Sequence, residues 1–386
     1  MKILFIEWPS FGRKDLKEAF TAEGHDLIIF PFAIDLSKLH NDPTLEDSLS
    51  KTLRRETPDI VFSVAYFVVI SKVCNKEGIR YLSWTYDNPH VMLYSRSVIN
   101  PCNVVYVFDK ALYMQFHRSG IPTVRYLPLA ANTERLDAIT GAGAKSLPYL
   151  YNVSFLGSLY LEKNNYYDQM TEGLSDHVKG YLSGLIAAQL RIRGYDLIEE
   201  SLGPVIKDLY QALPMAVQPD GMETLEYLYA QYIINRRITA IERIDLLDAV
   251  AKEHPIDLFT YYEDFYIPHL RNHGPVDYNN GMPRVFKQSR INLNFTLRGI
   301  QSGVPLRVFD IMGSGGFLLS NFQADFLDLF VPGEDFVYYE DRVDLLKKVD
   351  YYLKHEDERQ WIAQNGHDKI TAGHTYRHRV REMLCF

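Results

Sequence analysis

Residues 304–321, VPLRVFDIMGSGGFLLSN, contain a predicted helix, a glycine-rich turn and a predicted strand in that order. The helix begins near Pro305, and the turn at 313–316 ends it. The apolar segment 317–320 is typical of a short strand, and a second apolar segment, 291–295, precedes the helix. A helix between two strands is the unit from which parallel sheets are built. This region therefore predicts part of a parallel α/β sheet.

The same alternation of strands and helices extends through the rest of the chain. Strands are predicted at 2–6, 25–30, 60–64, 79–84 and 103–108 in the first half, and at 152–156, 256–260, 291–295, 317–320 and 336–339 in the second. Helical patterns, such as 13–23 and 45–56, separate them. This alternation predicts a doubly wound parallel sheet in each half, with ligands bound beyond the carboxyl ends of the strands. We therefore expect two Rossmann-like α/β domains that face each other across a cleft.

The composition along the chain suggests where these domains meet. The N-terminal domain is predicted to cover residues 1–135, and segment 136–150 is rich in Gly, Ala and Ser, as interdomain linkers often are. The second domain is predicted to cover 151–365, with an almost wholly helical insertion at about 164–240. Residues 366–386 are predicted to form a final helix.

The overall composition is that of a globular protein without a general nucleic-acid surface. The chain has 386 residues, of which 47% are hydrophobic and 23% charged, and its formal net charge is −8. The three cysteines, Cys74, Cys102 and Cys385, are too few and too far apart for a disulfide framework or a zinc site, which suggests a reducing compartment. The longest apolar segment, 60–70, is far shorter than the ~20 residues of a membrane-spanning helix, and Glu7 interrupts the apolar start too early for a secretory signal. We expect a cytoplasmic protein in which segment 60–70 is a strand buried on both faces.

Arg307 and Asp310 are the first candidates for a binding site. They lie three residues apart in the predicted helix and therefore share one face. A carboxylate can accept two hydrogen bonds from a vicinal diol such as ribose, and a guanidinium can pair with phosphate. The glycines that follow would let a ligand approach the backbone. The alternative is that Gly313 only ends the helix and that Arg307 and Asp310 form a surface pair; the residues alone leave both interpretations open.

Several further segments, taken in order, point to a known family. They are TYDNPHVMLY (85–94), YVFDKALYMQFHRSGIPTVRYLPLAAN (106–132), SFLGSLYLEK (154–163), HGPVDY (273–278), MPRVFKQSRINLNFT (282–296), RVFDIMGSGGFLLSN (307–321) and HTYRHR (374–379). With these segments the chain resembles the CgeB-like (spore maturation protein) glycosyltransferases, within the GT-B-fold set of group 1 glycosyltransferases. The resemblance covers most of the chain apart from the helical insertion.

The resemblance implies a transferase that moves a sugar from a UDP- or GDP-linked donor to a hydroxyl of a protein or glycan. It implies the GT-B fold, a final helix that packs back on the N-terminal domain, and a hexosyltransferase reaction of the retaining type. No Asp-x-Asp triplet, the usual metal-binding motif of the other large transferase class, occurs in the chain. We therefore expect no metal and no cofactor, with lysine and arginine side chains activating the departing diphosphate.

The resemblance also assigns donor-binding residues. Asp310 stands where the family has a Glu that holds the donor ribose, whereas Ser302 stands where a second Glu touches the transferred sugar. Lys163, which follows Gly157, is the candidate for neutralising the diphosphate. The family's usual arginine after that glycine is Ser158 here, and Arg298 or Arg307 are the expected substitutes. The full expected donor-binding set is Gly157, Lys163, Tyr278, Asn294, Arg298, Arg307, Asp310, Gly313, Gly315 and Gly316.

Two residues of the N-terminal domain are candidates for catalysis. Asp87 and His90 follow the predicted strand 79–84 and therefore lie at the carboxyl edge of the first sheet. Asp87 could act as the general base toward the acceptor hydroxyl, with His90 as the second candidate. The alternative is that Asp87 only stabilises a turn through an Asx-type hydrogen bond.

Three histidines near the end of the chain have a spacing that metal ligands sometimes show. His374 and His378 are four residues apart, and His367 lies further back, but no nearby Glu or Cys completes a ligand set. We expect these side chains to lie on a solvated or interdomain face.

Two other functions remain open from the sequence. One is a nucleotide-sugar epimerase or hydrolase on the same fold. The other is a non-catalytic partner subunit that binds through the helical insertion, which Ser158 and Ser302 suggest because charged residues are usual at those positions.

Overall fold

Two sheets of six parallel strands carry the fold of the computed structural model, which describes residues 1–35, 38–141, 147–218 and 220–385. The chain divides into two units. Unit 1 comprises Met1–Leu129, Ala216–Leu225 and the C-terminal segment that begins at Tyr376. Unit 2 comprises Ala130–Met215 and Glu226–Thr375.

The sheet of unit 1 has the strand order β2-β1-β3-β4-β5-β6. Its strands are β1 (Lys2–Glu7), β2 (Asp26–Pro31), β3 (Ile60–Val64), β4 (Arg80–Thr85), β5 (Asn103–Val107) and β6 (Val124–Tyr126). Its helices are α1 (Arg13–Ala22), α2 (Pro43–Glu56), α3 (Val68–Glu77), α4 (Lys110–Arg118) and α17 (Tyr376–Met383). All five residues of β3 are buried, as expected for a central strand covered on both faces. The side chain of Asp109 caps α4 by accepting hydrogen bonds from the backbone N–H groups of Ala111 and Leu112.

The sheet of unit 2 has the strand order β12-β11-β10-β7-β8-β9. Its strands are β7 (Tyr151–Leu156), β8 (Ile256–Phe259), β9 (Leu270–Asn272), β10 (Ser289–Asn294), β11 (Leu318–Asn321) and β12 (Val337–Tyr339). Its longer helices are α5 (Thr133–Thr140), α6 (Tyr166–Glu172), α7 (Asp176–Gln189), α9 (Ile206–Ala212), α11 (Asn235–Glu253), α12 (Gly281–Gln288), α13 (Leu306–Gly313), α15 (Arg342–Lys354) and α16 (Glu356–Gly373). The shorter ones are α8 (Ile198–Ser201), α10 (Leu225–Leu228), α14 (Phe326–Leu329) and a π-helical turn at Tyr229–Ile234.

The strand order of unit 2 indicates where a ligand is expected to bind. In unit 2 the chain adds β8 and β9 on one side of β7, and β10, β11 and β12 on the other. The order therefore reverses between β7 and β10, and the crevice beyond the carboxyl ends of such a pair is the usual binding place in open α/β sheets.

The two predicted sheets are present, but one long apolar segment and two short strands differ from the prediction. Segment 60–70 is not one strand, because β3 ends at Val64 and α3 begins at Val68. The strands β6 and β9, each of three residues at a sheet edge, are absent from the prediction. The final stretch, 360–384, is predicted as helix with a glycine break, and α16 indeed ends at Gly373 before α17 begins at Tyr376.

The unit boundaries also differ from the predicted domain boundaries. Unit 2 begins at Ala130, and the helix α5 occupies the first part of the predicted linker 136–150. Linker residues 142–146 lie outside the described residues. The predicted boundary at 365 falls inside α16, and unit 1 resumes only at Tyr376.

The predicted insertion at 164–240 is largely helical, but not all of it belongs to unit 2. The segment Ala216–Leu225 is part of unit 1, where Gly221 forms an antiparallel bridge with Ser95. Asp220 accepts a hydrogen bond from Ser95 Oγ at 2.9 Å and lies 2.7 Å from Nδ1 of His40. The insertion thus contributes one extended segment to the N-terminal unit.

In the part of the chain that the structure describes, no helix has both the length and the apolar character needed to cross a bilayer.

Candidate functional site

The candidate site lies in unit 2, where the carboxyl ends of β7 and β10 meet the start of α13. The strand β7 is followed by Gly157, whose backbone N–H donates to the carbonyl of Phe259 at 3.0 Å. Pro305 is the N-cap of α13 and has an extended conformation. The helix begins at Leu306, and Arg307 and Asp310 therefore lie in its first two turns.

Asp310 is the buried carboxylate of this site. Asp310 is only 4% exposed. The hydroxyl of Tyr278 donates a hydrogen bond to Oδ1 of Asp310 at 3.3 Å. Arg135 lies over the ring of Tyr278, 5.7 Å from the ring centroid. A buried carboxylate whose two oxygen atoms can accept hydrogen bonds is suited to bind two neighbouring hydroxyl groups.

Arg307 is half-buried directly beside Gly157. A Cβ atom placed on Gly157 would lie 3.0 Å from Nη1 of Arg307 and 3.2 Å from the ring of Phe155. Any larger residue at 157 would therefore displace the guanidinium. Burial lowers the pKa of Arg307 to about 10, and the positive charge of Arg243 acts in the same direction, whereas Asp310 opposes the shift.

Arg243, on α11, is a buried cation that the sequence did not predict as part of the site. Its Nη1 donates to the carbonyl of Ser158 and its Nη2 to the carbonyl of Phe295, both at 2.5 Å. The guanidinium carbon lies 4.9 Å from the ring centroid of Tyr160, and Nε is buried without a hydrogen-bond partner among the described residues. Burial also lowers the pKa of Arg243. The local sequence does not indicate that Arg243 is buried at the site, because a charged side chain in a helix usually faces solvent.

Two expected donor-binding residues, Arg298 and Lys163, do not join the group formed by Arg307, Asp310 and Arg243. Arg298 forms a two-pronged ion pair with Glu242, at 2.7 Å and 2.5 Å, and its Nη1 donates to the carbonyl of Ile192 at 3.2 Å. Its charge is thus already balanced. Lys163 is exposed in the turn between β7 and α6. Of the two expected substitutes for the arginine missing at Ser158, the structure places Arg307, and not Arg298, against Gly157.

The glycines after Asp310 are explained by packing and by the end of the helix. A Cβ on Gly313 would lie 2.9 Å from Cδ1 of Leu136 on α5, and a Cβ on Gly316 would lie 2.7 Å from the carbonyl oxygen of Phe286. Gly315 has φ +69°, a left-handed conformation that closes α13. These contacts favour the alternative in which the glycines end the helix and let it turn into β11, and they leave ligand contact by the glycines a prediction.

Asn294 and Lys287 line the ends of the neighbouring elements. Nδ2 of Asn294 donates to Ser320 Oγ at 2.9 Å, which ties β10 to β11. Nζ of Lys287 donates to the carbonyl of Gly315 at 3.4 Å, and burial lowers its pKa while Asp137 opposes the shift. Asn294 was expected as a donor-binding residue, whereas Lys287 is an additional half-buried cation that the sequence did not indicate.

Asp87 and His90 lie beyond the carboxyl end of β4 in unit 1. Asp87 is exposed and accepts no hydrogen bond from the residues that the structure describes, so the alternative Asx turn is not formed. Nε2 of His90 lies 2.9 Å from the carbonyl oxygen of Tyr66. A carbonyl only accepts, so Nε2 carries the proton and Nδ1 of the neutral ring is the acceptor. Burial lowers the pKa of His90 below its ordinary value, and the charge of Asp87 opposes this.

The three histidines near the end of the chain are not grouped as ligands. His367 bonds to Asp137 at 2.8 Å within unit 2, whereas His378 lies on α17 of unit 1. Within the described ranges, no group of three or more His, Cys, Asp or Glu side chains is arranged to hold a metal ion. The expected independence from metal stays a prediction.

A family model described as glycosyl transferase-like matches residues 237–385. The matched residues include Arg243, Arg307 and Asp310, together with the strands β8 to β12. The match thus falls mostly within unit 2 and ends just beyond α17 of unit 1. A search among curated proteins gave no match.

Similar solved structures cover both units of the chain. A glycosyltransferase from Rickettsia africae ESF-5 aligns with a TM-score of 0.54 at 10% identity, over 99% of this chain and 96% of that one. Sucrose-phosphate synthase from Thermosynechococcus elongatus aligns with a TM-score of 0.51 at 10% identity, over 99% and 98%. Anabaena HepE in complex with UDP-glucose aligns with a TM-score of 0.52 at 10% identity, again over 99% and 98%. At such low identity the likeness concerns the fold, and it confirms the predicted two-domain Rossmann-like GT-B architecture.

Proposed function

We propose that this protein is a glycosyltransferase that moves a sugar from a nucleoside-diphosphate sugar to an acceptor hydroxyl. The observation that carries the proposal is the juxtaposition of Arg307, Asp310 and Gly157 at the point where the strand order of unit 2 reverses. The match of residues 237–385 to a glycosyl transferase-like family supports the same function. A protein of the same fold, HepE, has been solved with UDP-glucose.

The two charged residues of α13 suit the two parts of such a donor. Asp310, with Tyr278 beside it, would accept hydrogen bonds from the ribose hydroxyls. Arg307 would donate to the phosphate oxygens, and the absent side chain at Gly157 leaves room for the diphosphate next to its guanidinium. Lys163 remains a second candidate for the diphosphate, from the turn after β7.

The chemistry explains why fixed cations are needed. The bond between the anomeric carbon and the diphosphate oxygen breaks, the acceptor oxygen bonds to that carbon, and the acceptor proton passes to a base. The leaving nucleoside diphosphate gains negative charge during this step. Donors that are already in place stabilise that charge by a few kcal/mol each.

Asp87 and His90 are our candidates for the group that handles the acceptor proton. His90 presents Nδ1 as an acceptor, because its Nε2 is bonded to the Tyr66 carbonyl. Four finer features rest on the resemblance of the sequence segments: membership of the CgeB-like subfamily, a retained configuration, a hexosyl group, and a protein or glycan acceptor. Independence from metal rests also on the missing Asp-x-Asp triplet, and a cytoplasmic location rests on the sparse cysteines and on Glu7 in the apolar start.

A transfer assay tests the proposed function. Purified protein is incubated with UDP- and GDP-sugars, with and without a panel of protein and glycan acceptors, and the released nucleoside diphosphate is measured. We expect release from one donor class that depends on an acceptor. Asp310→Asn should lower kcat/KM about ten- to hundredfold, because a charged acceptor of two hydrogen bonds is lost.

Asp208→Asn, an exposed change on α9, is the matched control and should leave the rate unchanged. Wild-type rates in Asp310→Asn would contradict the assignment of the site. Free sugar or an isomerised donor without any acceptor would instead indicate a hydrolase or an epimerase on the same fold, and an absence of nucleotide binding would favour a non-catalytic subunit.

A further inference from the structure

Arg243 is a buried cation of unit 2 that lies beside the proposed diphosphate site. We infer that Arg243 is a further donor-binding residue that supplies the second fixed positive charge of this site, because Ser158 provides no cation there. The inference rests on the proposed function, and it adds the source of the charge that favours a diphosphate over an uncharged ligand.

The guanidinium of Arg243 lies at the strand ends that form the proposed site. Arg243 reaches from α11 to the carboxyl ends of two strands at once, since it donates to the carbonyl of Ser158 after β7 and to that of Phe295 after β10. Arg307 lies against the preceding residue, Gly157. The two guanidinium groups therefore meet two consecutive residues of the same strand end, and the strand order of the sheet reverses at this point.

The positive charges of Arg243 and Arg307 are not balanced by ion pairs among the described residues. Arg243 is only 8% exposed, and none of the ion pairs among the described residues involves Arg243 or Arg307. A buried guanidinium without a carboxylate in ion-pair contact is expensive to desolvate. Arg243 and Arg307 also repel each other, which is one reason that the pKa of Arg307 falls. A doubly charged anion bound at residues 157–158 would offset both the desolvation of Arg243 and the repulsion between the two arginines.

Arg298, on the neighbouring loop, differs from Arg243 in its charge partner. Arg298 has Glu242 as its counter-ion, with the two residues joined by two hydrogen bonds. Glu242 directly precedes Arg243 in the chain, yet its carboxylate is committed to Arg298. Among the described residues, Arg298 thus has a carboxylate in ion-pair contact, whereas the adjacent buried Arg243 has none and only feels the charge of Glu242 from a distance.

The hydrogen bonding of Arg243 is incomplete among the described residues. Its Nε–H is buried without a partner among the described residues, although buried N–H groups are nearly always bonded. The guanidinium has five N–H donors in a planar fork. Ser158 and Phe295 take two of them, so that donors remain for an anion or for a water that the anion orders.

The test separates the charge of Arg243 from its hydrogen bonds. Calorimetric titrations of the full chain use five probes: UDP, GDP, uridine, guanosine and inorganic pyrophosphate. Arg243→Gln keeps an N–H donor for a carbonyl and removes the charge, whereas Arg243→Lys keeps the charge and loses the planar fork. Arg342→Met, which removes an exposed arginine paired with Asp245, is the control.

We expect Arg243→Gln to weaken pyrophosphate and the preferred nucleoside diphosphate about ten- to hundredfold, and to leave the matching nucleoside unchanged. Arg243→Lys should recover most of the diphosphate affinity. Without ligand, Arg243→Gln should unfold at the wild-type temperature or above it, because an unbalanced buried charge is removed. Should Arg243→Gln not fold, Arg243→Met serves as the uncharged variant.

Two results would overturn the inference: equal losses for nucleoside and diphosphate, or full diphosphate affinity in Arg243→Gln. Either would make Arg243 a support for the two strand ends only. Failure of wild-type protein to bind any of the five probes would instead contradict the proposed function itself, so the two failures are distinguishable.

Discussion

The carboxylate of Asp310 and the guanidinium of Arg307 lie in the first two turns of one helix, where the sequence placed them. Their spacing predicts a shared helix face, and the structure adds that Asp310 is buried and that Tyr278 donates to it. The interpretation as a surface pair is therefore excluded for Asp310. A carboxylate kept in a buried position needs polar partners to offset its desolvation, and ribose hydroxyls would supply further ones.

His90 predicts a particular pH dependence of turnover. Burial holds its pKa below the ordinary value of 6.5. If its neutral ring accepts the acceptor proton, kcat/KM rises with pH, levels off above about 6.5 and falls in more acidic solution. His90→Gln should lower kcat about 10²–10⁴-fold and remove this acidic limb, with donor affinity retained.

The exposed His177, on α7, provides the control variant His177→Gln, which should reproduce the wild-type profile. An acidic limb that persists in His90→Gln but disappears in Asp87→Asn would assign the base to Asp87. An acidic limb that persists in both variants would remove both residues from the proton transfer.

The residues that the sequence missed have one property in common. Arg243 and Lys287 are cations buried by contacts with strand ends and turns far away in the chain, such as Ser158 and Gly315. Composition and spacing describe neighbours along the chain, whereas the burial of a charged side chain depends on tertiary contacts. Arg298 shows the opposite case. The sequence suggested that it binds the diphosphate, but the fold brings the Glu242 carboxylate to it and the two form an ion pair.

At the scale of single elements, the helix ends follow chemistry that is visible in the sequence. The glycine turn after α13 is a predicted stop, and Gly315 closes the helix with a positive φ. The predicted strand 60–64 is confirmed, but its extension over 65–70 is wrong. The physical reason is that a short apolar run has no period that separates a buried strand from a buried helix. The edge strands β6 and β9 are too short, at three residues each, to show an alternation.

Glu23 makes the contact between α1 and α17 sensitive to acid. Its carboxylate accepts hydrogen bonds from Nε of Arg381 at 2.5 Å and from Nε of Arg377 at 2.7 Å. Arg381 chiefly, and then Arg377, lower the pKa of Glu23 from 4.5 to about 2. Because the folded protein favours the ionised form, this stabilisation is complete above about pH 4.5 and is lost as the pH falls toward 2.

Glu23→Gln should therefore reduce the free energy of unfolding by about 1–2 kcal/mol at pH 7, and by much less near pH 2, as measured by urea titration at each pH. Glu253→Gln, an exposed change at the end of α11, should have no comparable effect. A loss in Glu23→Gln that is equally large at both pH values would show that the ion pair is not its cause.

At the scale of the whole molecule, the alternation of strands and helices predicts two parallel sheets, and both are present. The strand orders, which position the site of unit 2, could not be read from this alternation because they depend on which strands pair across the sheet. The return of segment Ala216–Leu225 to unit 1 was equally hidden. It depends on contacts such as those of Asp220 with His40 and Ser95, which lie more than one hundred residues away.

The structure of a complex with the nucleoside diphosphate that binds best is the most direct measurement of the central claim. The account predicts phosphate oxygens within hydrogen-bonding distance of Arg307, next to Gly157, and ribose hydroxyls on the carboxylate of Asp310. A nucleotide bound elsewhere on the chain, with Asp310 and Arg307 contacting no part of it, would contradict the account.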